Sequence, residues 1–339
     1  MPSIDVITLH DDNVFMTARD AAADRVVRVR PALSAERQFP RGAYSGSYSV
    51  DAEHYAHHRE LTSPAARVQA FTRLSYTAGQ RLTISADQGY VNTTAPTELN
   101  IGTALATSRI RTARLTGAGN ATYRFSRRTT GTGSYTVSQD RLEDGRAMRT
   151  HVTRGAIDRT LSRRERLSID YEHGRFDSHS HSTHADTVRL GWTKAIGGGT
   201  QLQLRGGPRV SAGSTSADML ALVSHVREHT TMSISFEQVQ TTVIGVEVPV
   251  NARSIQVQGR WTPTRSLSFA VVPAVFQSRF AGRDIEVIRI ACDARYAVTT
   301  SMAIEASFGD EHQRGTVAGA GVEMLRHRTV TIGVAQQWK

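Results

Sequence analysis

One cysteine, two lysines and no long apolar run characterise this 339-residue chain. Cys292 stands alone, so no internal disulfide carries the fold; in "IRIACDARY" it falls in phase with Ile288 and Ile290 and reads as a small hydrophobe. No apolar stretch reaches the length of about eighteen residues that a membrane-crossing helix needs. A membrane-crossing barrel is not excluded, because lipid-facing and lumen-facing residues alternate along its strands and their hydropathies cancel. The opening "MPSIDVITLHDD" has neither the basic nor the apolar part of a secretory signal. For an exported protein this points to a mature or trimmed chain, or to a start placed too far downstream. Of 41 basic residues only Lys194 and Lys339 are lysines, and the formal net charge is +10. Coding bias plus a solvated polar face explains this arginine excess; an anion-attracting surface explains it more sharply. The arginines are spread along the whole chain, with no basic helix and no zinc-ligand spacing, so nucleic acid is not an expected partner.

What the chain has instead is alternation. In "TVRLGWTKAIGGGTQLQLRGG" (187–207), Val188, Leu190 and Trp192, then Leu202 and Leu204, share one face, while Arg189, Gln203 and Arg205 share the other. Successive side chains of a strand point to opposite faces, so this is a hairpin with one apolar and one polar side. The pattern recurs: Leu82, Ile84 and Ala86; Leu167, Ile169 and Tyr171; Met302, Ile304, Ala306 and Phe308 each alternate with polar residues.

Short polar turns follow one another at 39–42, 77–80, 126–129, 162–165, 197–200, 228–231, 262–265 and 298–301, settling to a period of roughly 35 residues. Between them lie connections read as longer loops, among them "VNTTAPTELNIGTALATSR", "LEDGRAM", "DSHSHSTHAD", "VSAGSTSAD", "TVIGVEVPVNAR" and "SRFAGRD". Turns and loops together require about eighteen strands (16–18) of roughly 9 to 14 residues, with both termini on one side. A single sandwich does not hold so many strands, and a β-propeller has shorter strands in a four-beat repeat. The expected fold is therefore all-β, one antiparallel transmembrane barrel over residues 1–339, with short periplasmic turns and longer extracellular loops. Tyr76, Tyr123, Phe125, Trp261 and Tyr296 sit near the short turns on the apolar phase, where an interfacial girdle is expected. The last strand places Val330, Ile332, Val334 and Trp338 in one phase, with Gln336 and Lys339 as departures from an aromatic-terminated barrel signal.

The phrases "DDNVF" (11–15), "VRPALSAER" (29–37), "GSYSVDAEHYAHHREL" (46–61), "RLTISADQGYVNTTAPTELN" (81–100), "LGWTKAI" (190–196), "LRGGPRVSAG" (204–213) and "QTTVIG" (240–245) resemble the outer-membrane β-barrel proteins of exopolysaccharide and PEP-CTERM/exosortase loci. The resemblance covers most of the chain and carries no catalytic motif. It implies an outer-membrane barrel that works with periplasmic polysaccharide-export proteins, and the expected function is a passive conduit or docking barrel in exopolysaccharide export. A general diffusion porin and a non-conducting barrel that works through its loops are the alternatives.

Histidines gather in "EHYAHHRE" (His54, His57, His58) and "DSHSHSTHAD" (His179, His181, His184). A metal would need them to converge with Asp177 or Asp186, and a hydrolase would need Ser180 or Ser182 set against His179 and Asp186. Hydrophilic loop composition explains both clusters without either, so no catalytic residue, metal or cofactor is expected.

The polar phase is more informative. Arg73, Arg124, Arg166, Arg189, Arg205, Arg260, Arg289 and Arg295, with Asp170, Glu172, Asp293 and Glu305, are expected to line an aqueous lumen, where charge stays hydrated. Val188, Leu190, Trp192, Leu202, Leu204, Ile288 and Ile290 are expected to face outer-membrane lipid. The arginines pair with carboxylates to stiffen the wall, create a field favouring acidic solutes or acidic polysaccharide, or do both. The longest connection carries Leu99, Ile101 and Leu105, apolar residues unsuited to an exposed crown. It is expected to fold inward as the constriction, with Glu98 set against Arg73 or Arg124.

Overall fold

The computed structural model describes residues 1–107, 109–179, 181–315 and 324–338. Eighteen strands follow one another along the chain: β1 (Pro2–Asp11), β2 (Asp24–Phe39), β3 (Gly42–Tyr55), β4 (Ser63–Ala78), β5 (Leu82–Thr93), β6 (Thr112–Arg124), β7 (Thr129–Leu142), β8 (Ala147–Thr160), β9 (Glu165–Ser178), β10 (Ser182–Gly197), β11 (Thr200–Ser211), β12 (Ser214–Arg227), β13 (Thr230–Thr241), β14 (Val250–Trp261), β15 (Leu267–Phe280), β16 (Arg283–Ala297), β17 (Met302–Arg314) and β18 (Met324–Gln337). Each pairs antiparallel with its sequence neighbours, and β1 also pairs with β18, from Ser3 opposite Gln337 to Asp11 opposite Thr329. That last pairing closes the sheet, leaving no edge strand.

The two faces follow the alternation. Leu190 is 66% exposed and Arg189, one residue away, is 3% exposed, because one points out of the barrel and the other into it. Register carries this phase around the wall: Leu190 opposes Ile169 on β9, and Arg189 opposes Asp170. Val188, Leu204, Ile288 and Ile290 are exposed on the outward phase, with Trp192 and Leu202 half-buried there. Tyr76, Tyr123, Phe125, Trp261 and Tyr296 are exposed at the short-turn end of the same surface, and Tyr123 packs edge-on against Phe125. A closed sheet with an apolar exterior and an aromatic rim is a shape that only a bilayer solvates.

The loop expectation needs correction. Four connections at the far end are only two to four residues long, those between β7 and β8, β9 and β10, β11 and β12, and β15 and β16, because the flanking strands extend that far. Ala212–Gly213 and Ala281–Gly282 have positive φ at both central positions (48° and 76°, 46° and 76°), the backbone that matches strand twist in a two-residue hairpin. The serine- and histidine-rich composition there belongs to strand ends. Long connections remain at 12–23, 56–62, 94–111 and 242–249 among the described residues, and two of these enter the barrel.

Candidate functional site

The segment 94–111, between β5 and β6, crosses the lumen. A 3-10 turn at Pro96–Leu99 starts it inward. Leu105 is fully buried in the cluster with Phe276 on β15 and Val287 on β16, the wall opposite its own attachment. Across the same gap, the Ala106 N–H donates to Gln313 Oε1 on β17 at 2.8 Å. Arg114 on β6 donates to the Leu99 carbonyl at 2.8 Å, holding the near end. Arg109 donates to the Val14 carbonyl (2.9 Å) and the Tyr55 hydroxyl (2.8 Å), tying the returning strand of the loop to the segment after β1 and to β3.

A second loop, 242–249 between β13 and β14, meets the first. Asn100 joins them: its Nδ2 donates to the Leu105 carbonyl at 3.0 Å and its Oδ1 accepts from the Ile244 N–H at 3.0 Å. Ile244 is buried with Leu99 and Leu142, and Arg146 donates to the Gly245 carbonyl at 3.3 Å. Buried backbone groups need partners, and Asn100, Gln313 and Arg114 supply them where no ladder exists.

Leu99 and Leu105 are thus buried in the lumen, whereas Ile101 is 78% exposed and makes no part of the packed core. Glu98 pairs with Arg67 at 2.8 Å. It does not reach Arg73 or Arg124, which sit near the short-turn end of their strands, where Arg73 pairs with Asp87 and Arg124 donates to the Gln80 carbonyl. The loop lies in the extracellular half, so its carboxylate finds the arginine at that height.

The lumen wall carries charge in two clusters. On β8 to β12, Arg189 reaches three carboxylates: Asp170 (2.8 Å), Glu172 (2.9 Å) and Asp218 (2.8 Å). Arg154 approaches Asp170 at 3.2 Å and Arg209 approaches Asp218 at 3.4 Å. The side chain of Arg205, the fourth arginine of this cluster, makes no ion pair or hydrogen bond among the described residues, and its Nε is buried without a partner. Gly191 and Gly207 lie on the inner phase beside Arg205 and Arg189; a Cβ on Gly207 would collide with the Val188 carbonyl, and one on Gly191 with the Ser168 hydroxyl. The other cluster lines a cavity of about 290 Å³ beside the crossing loop, with Arg28, Arg109, Arg289 and His327 facing Asp11, Glu53, Glu98 and Glu311. There Arg28 pairs with Glu53 (2.6 Å), and nearby Arg30 and Arg114 make two-pronged pairs with Asp51 and Asp140.

Arg166 and Arg260 share the inward phase with Arg189, opposing Thr193 and Ala270, and Arg295 pairs with Glu305 at 2.8 Å. The sequence reading missed Arg28, Arg30, Arg109, Arg114, Arg154 and Arg209, although "RVVRVR" shows the same alternation at Arg28 and Arg30. It also missed that part of the inner wall is apolar. "FAVVPAVF" (269–276) and "DIEVIRI" (284–290) are apolar on both phases, a signal that both faces are covered.

The histidine clusters have other roles. His57 and His58 each place Nδ1 3.0 Å from the buried Asp24 carboxylate, anchoring the loop after β3. His184 stacks on His173, which hydrogen-bonds Asp186 at 2.9 Å, on the outward face of β9 and β10. Ser180 lies outside the described residues.

No family model and no curated protein matches the chain. Among solved structures it is similar to OpdO of Pseudomonas aeruginosa (TM-score 0.53, 12% identity, 99% of this chain and 97% of that one), to OpdL of Pseudomonas aeruginosa (0.51, 12%, 99% and 99%), and to OccAB4 of Acinetobacter baumannii (0.51, 9%, 99% and 98%). At these identities the likeness is one of fold. The closed eighteen-strand barrel is that of outer-membrane proteins, and the outer membrane is where this chain resides.

Proposed function

We propose that this outer-membrane barrel is a constricted, porin-like conduit for small acidic solutes. The observation that carries the reading is Arg205: a lumen guanidinium without a carboxylate, set among Arg154, Arg189 and Arg209, whose three neighbouring carboxylates are already shared. A partly buried cation in a narrow aqueous path binds a passing carboxylate or phosphate by its planar fork and releases it to the next arginine on the wall. The two crossing loops make the path selective for size. They also argue against threading of a polymer through the centre.

On this reading, the resemblance to barrels of exopolysaccharide loci points to acidic saccharide units as the solute class. The periplasmic export proteins would then dock at the short-turn end. No catalytic step, metal or cofactor is assigned to the chain.

The test is conductance of purified protein in a planar bilayer, with the reversal potential measured across a KCl gradient. Anion preference is expected, and Arg205→Glu should reduce or invert it without abolishing conductance. Cation preference in the native protein would remove the acidic-solute reading. A folded protein that never conducts would leave the barrel as a binding scaffold acting through its loops.

A further inference from the structure

On β7 to β10, the outward surface changes character above the apolar belt. Ile157, Ile169 and Leu190 are exposed at the level of the hydrocarbon, and Tyr135 and Tyr171 stand above them. Beyond the tyrosines the same outward phase carries Arg141, Arg149 and Arg175, together with His151, His173 and His184. Register makes the patch continuous: Arg149 opposes Gln139 and Asp177, and Arg175 opposes His151 and His184.

The patch holds two carboxylates, and both are engaged. Asp177 accepts from Arg175 Nε (3.0 Å) and the Ser182 hydroxyl (2.6 Å). Asp186 accepts from the Tyr171 hydroxyl (2.6 Å) and pairs with His173 (2.9 Å). The Gln139 amide lies beside both Arg141 and Arg149, and neither arginine has a carboxylate partner among the described residues. Overhead, 143–146 is a tight turn and the Ser178 N–H donates to the His181 carbonyl at 2.8 Å, which brings β9 and β10 together without covering the patch.

We propose that this patch binds the phosphorylated headgroup of a multi-acylated glycolipid in the outer leaflet. Arginines on a membrane-facing surface need an anion at headgroup height, and a phosphate ester accepts the guanidinium fork. The patch spans four strands, about 14 Å at the usual strand spacing. That width exceeds one glycerophosphate and suits a saccharide bearing phosphates at separate positions. The apolar belt directly beneath receives acyl chains, and the long-loop end of the barrel faces the outer leaflet.

Bisphosphorylated lipid A is the probe, titrated into the folded full-length barrel in neutral detergent and counted by native mass spectrometry. R141Q/R149Q/R175Q should bind at least tenfold more weakly. A lumen variant of equal charge change, R124Q/R166Q/R260Q, should bind like the native protein. Dephosphorylated lipid A and phosphatidylglycerol should each bind at least tenfold more weakly than lipid A. Should the triple variant fail to fold, Arg149→Gln alone, which breaks no carboxylate pair, should still lower the affinity about threefold. Native affinity in the folded patch variant, equal binding of dephosphorylated lipid A, or equal binding of phosphatidylglycerol would each overturn the assignment.

Discussion

Removing the crossing loop should roughly double the conductance. With strands about 4.8 Å apart and tilted about 40°, the eighteen-strand wall has a perimeter of about 110 Å and a backbone radius of about 18 Å. Side chains take about 5 Å from that radius, half the usual spacing of packed sheets, leaving a clear cross-section of about 500 Å². A segment about 10 Å wide laid across about 25 Å obstructs about half of this area. Deleting residues 95–106 removes that obstruction, while the 242–249 loop stays attached at Arg146. Single-channel recording in a planar bilayer is the assay, and slower SDS-gel migration after boiling shows that the deletion variant has folded. Asn100→Ala is the milder companion. It strips two buried hydrogen bonds, one within the crossing loop to the Leu105 carbonyl and one from the Ile244 N–H of the second loop, at about 1–3 kcal/mol for each orphaned group, and should produce flickering openings above the native level. Native conductance without flicker, in folded protein of both variants, would refute the claim that 94–111 is the constriction.

Two further outcomes are expected. Leu190→Arg should destabilise the barrel by about 2–4 kcal/mol in a urea titration from lipid vesicles while Gln203→Arg changes it little, because one faces lipid and the other water; equal costs would show the faces to be misassigned. Arg189→Met should cost about 3 kcal/mol in the same titration, since it leaves the buried Asp170 and Asp218 only the longer contacts to Arg154 (3.2 Å) and Arg209 (3.4 Å); a cost below about 1 kcal/mol would mean that the cluster is hydrated and individually weak.

Much of this protein is legible in the order of its residues. Strand number, closure and the two faces follow from period-two alternation, because a strand side chain has only two directions to point, and register transmits the choice from Leu190 to Ile169 and onward. The inward entry of 94–111 was legible as well, since Leu99 and Leu105 had no dry place outside. What alternation does not encode is height and distance across the lumen. Glu98 pairs with Arg67 instead of Arg73 because the loop stays in the extracellular half, a matter of where the chain enters. Asn100 bridging to Ile244, Gln313 reaching Ala106, and Arg205 left without a carboxylate all depend on strands brought together by the closed ring. A local pattern assigns each residue to lipid or to lumen. Only closure decides which lumen residues meet, because partners far apart in sequence become neighbours when the wall bends round on itself.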